Sequence, residues 1–85
     1  MYRIIWDIKA IKDLAYLSEK KAENIRQKVT TYLIKDPLGL SSGLTGRFNG
    51  ERKYRYGDYR IVFKVDVKDK TIKISRVGHR SEIYL

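Results

Sequence analysis

The chain has 85 residues, 42% of them hydrophobic, and carries 19 lysines and arginines against 10 acidic residues, a net charge of +9. This length and apolar content predict one folded domain over residues 1–85, and the charge favours a polyanionic partner, either nucleic acid or an acidic protein. The lack of cysteine excludes disulfides, thiolate chemistry and zinc–cysteine sites, while the lack of a signal-peptide pattern or of an apolar run near ~20 residues predicts a cytoplasmic protein without a membrane partner.

The first half of the chain predicts one strand and two helices. Residues 2–6 are rich in β-branched and aromatic side chains, which is typical of a strand. Asp7 can cap a helix of roughly ten residues. The apolar stripe of this helix comprises Ile8, Ile11, Leu14, Ala15 and Leu17. A second helix begins at Ser18 and ends at Asp36-Pro37, and the short connection between the two helices predicts an antiparallel pair.

The second half of the chain predicts an uncharged loop followed by three strands. The loop covers residues 38–46, which include three glycines and two serines. Strands are expected near 47–56, 59–66 and 70–77, separated by turns at 57–58 and 67–70. The order β-α-α-β-β-β predicts an α+β fold in which the helix pair packs on one face of a mostly antiparallel sheet. The other face is then free to carry basic and aromatic side chains.

Basic and aromatic residues alternate just before the turn at 57–58. Because successive side chains of a strand point to opposite faces, Lys53 and Arg55 are expected on one face and Tyr54 and Tyr56 on the other. A tight turn would bring Arg60 back beside Arg55. The pattern predicts a phosphate-binding surface with three fixed cations, although basic residues also protect edge strands from aggregation. Arg60 could instead pair with Asp58 or Glu82.

The available side chains suit RNA cleavage better than most other chemistry. The sequence has no GxSxG, P-loop or HExxH motif and no obvious carboxylate pair. RNA supplies its own nucleophile, the 2′-OH, so a cleaving protein needs a base, cations for the phosphate and help for the leaving oxygen. Arginines around Lys53 favour its neutral, proton-accepting form, whereas arginine itself clamps phosphate and does not act as a base.

Two motifs in the second half are shared with a known toxin family. They are Leu44-x-Gly46 followed by Lys53-Tyr54-Arg55-Tyr56-Gly57-Asp58-Tyr59-Arg60-Ile61, and Arg76-Val77-Gly78-His79-Arg80-Ser81-Glu82-Ile83-Tyr84. With them the chain closely resembles the RelE group of the RelE/ParE toxin superfamily, over nearly its whole length. The resemblance implies a type II toxin that cuts messenger RNA in the ribosomal A site without a metal or another cofactor.

The resemblance also implies roles for individual residues. Lys53 and Arg55 match two basic family positions, one of which is thought to be the general base. The best-known member has lysine at both positions, so the base role falls to Lys53 and the phosphate clamp to Arg55. The remaining implied roles are transition-state stabilisation for Arg60, a position near the leaving oxygen for Arg80, base stacking for Tyr84, and a rival acid or base for His79, since an imidazole titrates near neutral pH.

Partners and alternatives follow from the same resemblance. It implies an acidic, partly disordered RelB-like antitoxin that folds on this surface into a toxin–antitoxin hetero-oligomer, together with mRNA and ribosomal RNA as further partners. One alternative is a ParE-type toxin that poisons DNA gyrase without cutting RNA; the other is an inactive member that only binds RNA or antitoxin. The basic and tyrosine set argues against the gyrase alternative.

Overall fold

The computed structural model describes residues 1–46 and 50–83 of the chain. The first helix has the predicted cap, since the Asp7 carboxylate accepts a hydrogen bond from Lys9 N. Ser18, where the second helix is predicted to begin, is the cap of that helix, and its hydroxyl accepts a hydrogen bond from Lys21 N. The elements in chain order are β1 (Arg3–Trp6), α1 (Ile8–Ala15), α2 (Glu19–Lys28), a π-helical turn (Val29–Leu33), β2 (Ser42–Gly43), β3 (Arg52–Tyr56), β4 (Tyr59–Asp66) and β5 (Thr71–His79).

The strands form one five-stranded sheet in the order β1-β5-β4-β3-β2. β1 pairs with β5 in parallel, and the other three pairings are antiparallel. The predicted α+β class, with a mostly antiparallel sheet and two helices, is therefore confirmed. Among the described residues, no helix is long and apolar enough to cross a bilayer.

The segment predicted as a loop contains a short edge strand, so that part of the prediction is wrong. Ser42 and Gly43 pair with Lys53 and Arg52. Residues of low strand propensity are held there by tertiary contacts, because the Arg52 guanidinium donates to Ser41 Oγ at 2.7 Å and to the Ser41 carbonyl at 3.0 Å. The strand predicted to start at residue 47 starts at Arg52, and residues 47–49 lie outside the described part of the chain.

The core lies between the helices and one face of the sheet. Phe63 sits at its centre and is fully buried. The other buried members are Ala10, Leu14, Ala22, Ile25, Val29 and Leu33 from the helical half and Ile61, Ile72, Ile74 and Val77 from the sheet. Val62 is also buried, on the opposite face, as its place in a continuous apolar run predicts.

Helix α1 buries only part of the predicted stripe: Leu14 is buried and Leu17 packs against the core as predicted, but the isoleucines do not. Ala10 and Leu14 face the core, whereas Ile8 and Ile11 are 60% and 49% exposed. At 3.6 residues per turn, residues 10 and 14 share one side of the helix, and residues 8 and 11 fall on the other. The small Ala10 side chain allows close packing of the helix on the sheet. The prediction, which relied on the larger isoleucines, therefore wrongly assigned those two residues to the buried side.

A β-bulge in β5 decides which of its side chains reach the open face, the sheet face opposite the helices. Val62 pairs with Arg76 and Phe63 pairs with Ile74, so Ser75 is an extra residue in β5. The inserted residue reverses the alternation. Ile74 and Val77 can therefore both enter the core, and Arg76 and Gly78 turn to the open face.

Candidate nucleic-acid interface

The β3–β4 hairpin carries the three predicted cations on the open face. Arg55 pairs directly with Arg60 across the hairpin, and Lys53 pairs with Val62. Directly opposed residues of an antiparallel pair share a face, so Lys53, Arg55 and Arg60 lie together as predicted. Gly57 begins the turn with φ of 58°, a conformation that glycine adopts without the steric cost of a Cβ atom.

Arg60 is held far more tightly than its two neighbours. It is only 8% exposed, and its Nη1 donates to the Gly57 carbonyl at 3.2 Å and to the Tyr59 carbonyl at 3.1 Å. These bonds join the guanidinium to the turn of its own hairpin. The alternative pairing of Arg60 with Asp58 or Glu82 is absent from the described part of the chain, where no carboxylate lies within 4.0 Å of this guanidinium.

Lys53 and Arg55 are likewise free of counter-ions. Over residues 1–46 and 50–83, neither side chain has a carboxylate within 4.0 Å. Arg55 is exposed, whereas Lys53 is half-buried. Three cations that share a face and have no carboxylate partner among the described residues create a local positive potential that suits an anion such as a phosphate. Arg52, by contrast, pairs with the core residue Phe63 and donates hydrogen bonds from its Nε and Nη2 to the residue 38–41 loop.

The hairpin tyrosines face the helices. Tyr54, Tyr56 and Tyr59 are partly buried against the core. The Tyr59 ring lies under the Lys21 ammonium at 4.9 Å, and Lys21 Nζ is 3.3 Å from the Tyr59 hydroxyl. Tyr54 and Tyr56 therefore lie opposite Lys53 and Arg55 as alternation predicts, and these tyrosines are not the aromatic side chains expected on the open face.

His79 lies on the helix side of the sheet. It pairs with Tyr59, and the two rings meet edge to face with centroids 5.7 Å apart. Its Nδ1 accepts a hydrogen bond from Ser81 N at 3.2 Å and is 2.7 Å from Ser81 Oγ. The structure thus separates this imidazole from Lys53, Arg55 and Arg60 by a full layer of backbone.

Arg80 lies at the end of β5, beside the hairpin turn. Its backbone N–H donates to the Asp58 carbonyl at 2.8 Å, and its Nε is 3.8 Å from Asp58 Oδ1. This ion pair is loose and exposed, so the guanidinium can leave it at small cost. The following turn places Ile83 over Gly78, where an added Cβ would come within 3.4 Å of the Ile83 side chain. Tyr84, the predicted base-stacking residue, lies outside the described residues.

Two pairs of residues near this surface were missed at the sequence level. Asp13 of α1 accepts from Arg76 Nε at 2.8 Å, from Arg76 Nη2 at 3.2 Å and from Val77 N at 2.9 Å. The hydrogen bond to Asp13 raises the pKa of the Arg76 guanidinium above its ordinary value. Lys64 and Lys73, the second pair, face each other across β4 and β5. Alternation along β4 could have placed Lys64 with Arg60, but the bulge that reorients Arg76 has no sequence signature.

Comparisons with known proteins agree on one family. A family model described as the ParE toxin of the type II toxin–antitoxin system, parDE, matches residues 4–84. Toxin RelE of Mycobacterium tuberculosis (strain ATCC 25618 / H37Rv) is 30% identical over 83 residues, which are 98% of this chain and 86% of that protein. Toxin RelG of the same strain is 28% identical over 83 residues, covering 98% and 95% of the two chains.

Solved structures share the fold. The RelBE2 toxin–antitoxin complex from Mycobacterium tuberculosis matches with a TM-score of 0.88 and 26% identity, covering 93% of this chain and 98% of that chain. The isolated Escherichia coli RelE toxin matches with a TM-score of 0.76 and 24% identity, covering 99% and 92%. On the match to residues 4–84 and the 30% identical relative, this chain belongs to the RelE/ParE family of toxins from type II toxin–antitoxin systems.

Proposed function

We propose that this toxin is a ribosome-dependent endoribonuclease that cleaves messenger RNA in the ribosomal A site and so inhibits translation. The observation that carries this proposal is the group of Lys53, Arg55 and Arg60 on the open face, with no carboxylate within 4.0 Å in the described part of the chain. The names of the relatives, RelE and RelG, support the same choice within the family.

The chemistry assigned to the site is attack by the RNA 2′-OH on the adjacent phosphorus. Lys53 takes the proton from the 2′-OH as the new O–P bond forms. Arg55 and Arg60 stabilise the negative charge that builds on the phosphate oxygens. The P–O bond to the 5′-oxygen then breaks, and that oxygen takes a proton from water. The products are a 2′,3′-cyclic phosphate and a 5′-hydroxyl, so neither a metal nor another cofactor is a reactant.

Arg80 and Tyr84 complete the proposed site. Arg80 stabilises the leaving 5′-oxygen, which requires its guanidinium to leave Asp58. Tyr84 is assigned to stacking on the substrate base. We give the base role to Lys53 and not to His79, because His79 lies on the helix side and its Nδ1 is already hydrogen-bonded within the Ser81 turn.

We further infer that the neutralising partner is an acidic antitoxin. The chain has a net charge of +9, and its structural matches include toxin–antitoxin complexes of related folds, RelBE2 and the Escherichia coli RelBE complex. A partly disordered acidic segment could order itself against the cationic surface and form a hetero-oligomer.

Primer extension on messenger RNA in a purified translation system, with and without ribosomes, tests the proposed activity. We expect new RNA ends only when ribosomes are present, and loss of these ends in an Arg55→Gln/Arg80→Gln variant. Both side chains are exposed, so the variant should fold. The matched control is Lys20→Gln/Lys35→Gln, which removes the same charge from exposed positions off the open face.

The gyrase-poisoning alternative makes the opposite prediction. The matching family model carries the ParE description, so this alternative has a specific basis. Cells that stop growing on expression of the protein, with no new RNA ends with or without ribosomes, would overturn the nuclease proposal and favour gyrase poisoning. Intact growth in cells that contain folded protein would favour the inactive, binding-only alternative.

A further inference from the structure

Two lysines on the open face oppose each other directly. Lys64 of β4 pairs with Lys73 of β5, on the face that carries Arg60 and Arg76. We propose that Lys64 and Lys73 form a second phosphate-binding subsite, which holds the RNA backbone beside the cleaved phosphate. The inference rests on the proposed function, since it assigns the same RNA strand a second point of attachment.

The pair is unfavourable in the free protein. Like charges at directly opposite positions of an antiparallel ladder destabilise the sheet. Lys73 Nζ has one weak partner, Asp7 Oδ1 at 3.9 Å, and the Asp7 carboxylate also caps α1. Lys64 has no carboxylate within 4.0 Å over residues 1–46 and 50–83. A bound phosphate would relieve this repulsion by contacting both ammonium groups.

The surroundings form an open, mainly basic hollow. Lys64 and Lys73 line it together with Lys9 and Arg76, and the acidic members are Asp7 and Glu51. Asp7 is already used by Lys73 and α1, and Arg76 is fixed by its two hydrogen bonds to Asp13. In the described part of the chain, the cations of this hollow without a strong partner are therefore Lys9, Lys64 and Lys73, and the last two face each other.

The distance from the cleavage site suits a phosphate of the same strand that lies beyond the one next to the cleaved phosphate. Lys64 follows Arg60 by four residues on β4, which corresponds to about 13 Å of strand. This separation is too large for Lys64 to share the phosphate bound by Arg60. Val62, buried between them on the same face, leaves a neutral gap between the two groups of cations. A single strand that crosses the open face would meet one group and then the other.

The chemistry favours RNA over an acidic protein at this position. An extended RNA strand presents phosphates at regular intervals without any folding, and lysines bind a phosphate as point charges without a fixed fork geometry. The subsite lies on the sheet face of the proposed cleavage site, so one strand can occupy both. Antitoxin binding at Lys64 and Lys73 would therefore contradict the inference.

Equilibrium binding over a range of salt concentrations tests the subsite. The probe is a fluorescent, uridine-rich single strand with methylated 2′-hydroxyls, which cannot be cleaved by 2′-OH attack. The wild-type protein is compared with Lys64→Gln/Lys73→Gln and with the charge-matched control Lys20→Gln/Lys35→Gln. Because both lysines are proposed to hold one phosphate, their loss should reduce the slope of log K against log salt by about 0.7, the contribution of one phosphate contact to a single strand.

The control variant should keep the wild-type slope, and the Lys64→Gln/Lys73→Gln variant should melt at the wild-type temperature or above because its repulsion is gone. Equal RNA slopes for this variant and the control would overturn the subsite. Unchanged RNA binding together with weakened antitoxin binding would also overturn it and assign the lysines to the antitoxin. Cleavage by the wild-type protein on ribosomes is scored separately, so failure of the proposed function is distinguishable from failure of the subsite.

Discussion

Lys53, Arg55 and Arg60 share a face but differ in how the sheet constrains them. Arg60 is buried and bonded to two carbonyls of its own turn, Lys53 is half-buried, and Arg55 is exposed. A side chain that is already fixed loses little conformational entropy when it meets a phosphate, whereas an exposed arginine loses more. The three cations should therefore respond differently to substitution.

Replacement of Lys53 by glutamine should slow cleavage strongly with little effect on folding. General-base catalysis typically contributes 10²- to 10⁴-fold, so we expect ribosome-dependent cleavage to slow by about that range. Rates of primer-extension product formation measure the effect, and Lys20→Gln serves as the exposed control. Cleavage by Lys53→Gln at the control rate would remove Lys53 from the base role.

Replacement of Arg60 by alanine should destabilise the protein, whereas Arg55→Ala should not. The Arg60 change removes two hydrogen bonds from a charged donor to the Gly57 and Tyr59 carbonyls, and a hydrogen bond to a charged group contributes about 1.5–3 kcal/mol. Urea unfolding of the two variants measures the difference. Equal midpoints would show that the turn does not depend on the buried guanidinium, and loss of activity in Arg60→Ala could then be read as purely chemical.

At the scale of elements, α1 is joined to the end of β5 by Asp13. This carboxylate is 16% exposed and accepts three hydrogen bonds, two from Arg76 and one from Val77 N at the sheet edge. Beyond Ile74, β5 no longer pairs with β1, because the chain leaves that strand for α1. Asp13 thus takes the place of a strand partner immediately before Gly78, His79 and Arg80.

Asp13→Ala should cost more stability than removal of an exposed ion pair. We expect a loss of about 1–3 kcal/mol in the free energy of unfolding, because a strand N–H loses its acceptor. The matched control is Glu23→Ala, which breaks the exposed Glu23–Arg26 pair and should cost under about 1 kcal/mol. Similar unfolding free energies for the two variants would contradict a role for Asp13 in holding β5.

Sequence patterns predicted the helices and strands more reliably than which of their side chains are buried. Alternation correctly placed Lys53 and Arg55 opposite Tyr54, and Gly57-Asp58 correctly marked the hairpin turn. Two errors came from tertiary contacts that local patterns do not encode. Ser42–Gly43 pairs as a strand next to a loop that Arg52 holds by hydrogen bonds. Helix α1 buries Ala10, while its isoleucines face solvent.

In the candidate site, too, local sequence patterns predicted some features and tertiary structure decided others. The hairpin cations could be predicted from alternation, and the other expected site residues came from the family resemblance. The position of Arg76 could not be predicted, because a single inserted residue at Ser75 reverses the faces of β5. The burial of Arg60 was also missed. Arg60 pairs with Gly78, and no sequence pattern indicates that a charged residue at such a position is buried.

At the scale of the whole molecule, the net charge of +9 predicts salt-sensitive antitoxin binding. Electrostatic attraction speeds association and is screened over about 10 Å at 0.1 M salt. We expect the association rate to fall by at least tenfold between low and physiological ionic strength, with a smaller change in dissociation. Stopped-flow mixing measures both rates, and a salt-independent association rate would indicate a mainly apolar interface.

The most direct test of 2′-OH attack uses a message with a single 2′-deoxynucleotide immediately 5′ of the cut. The message is otherwise unchanged and is presented on ribosomes in a purified translation system. We expect cleavage at that position to disappear, because the attacking oxygen is absent, while an all-ribose message is cut to give a 2′,3′-cyclic phosphate. Continued cleavage of the 2′-deoxy message at the same position would contradict the mechanism assigned to Lys53, Arg55 and Arg60.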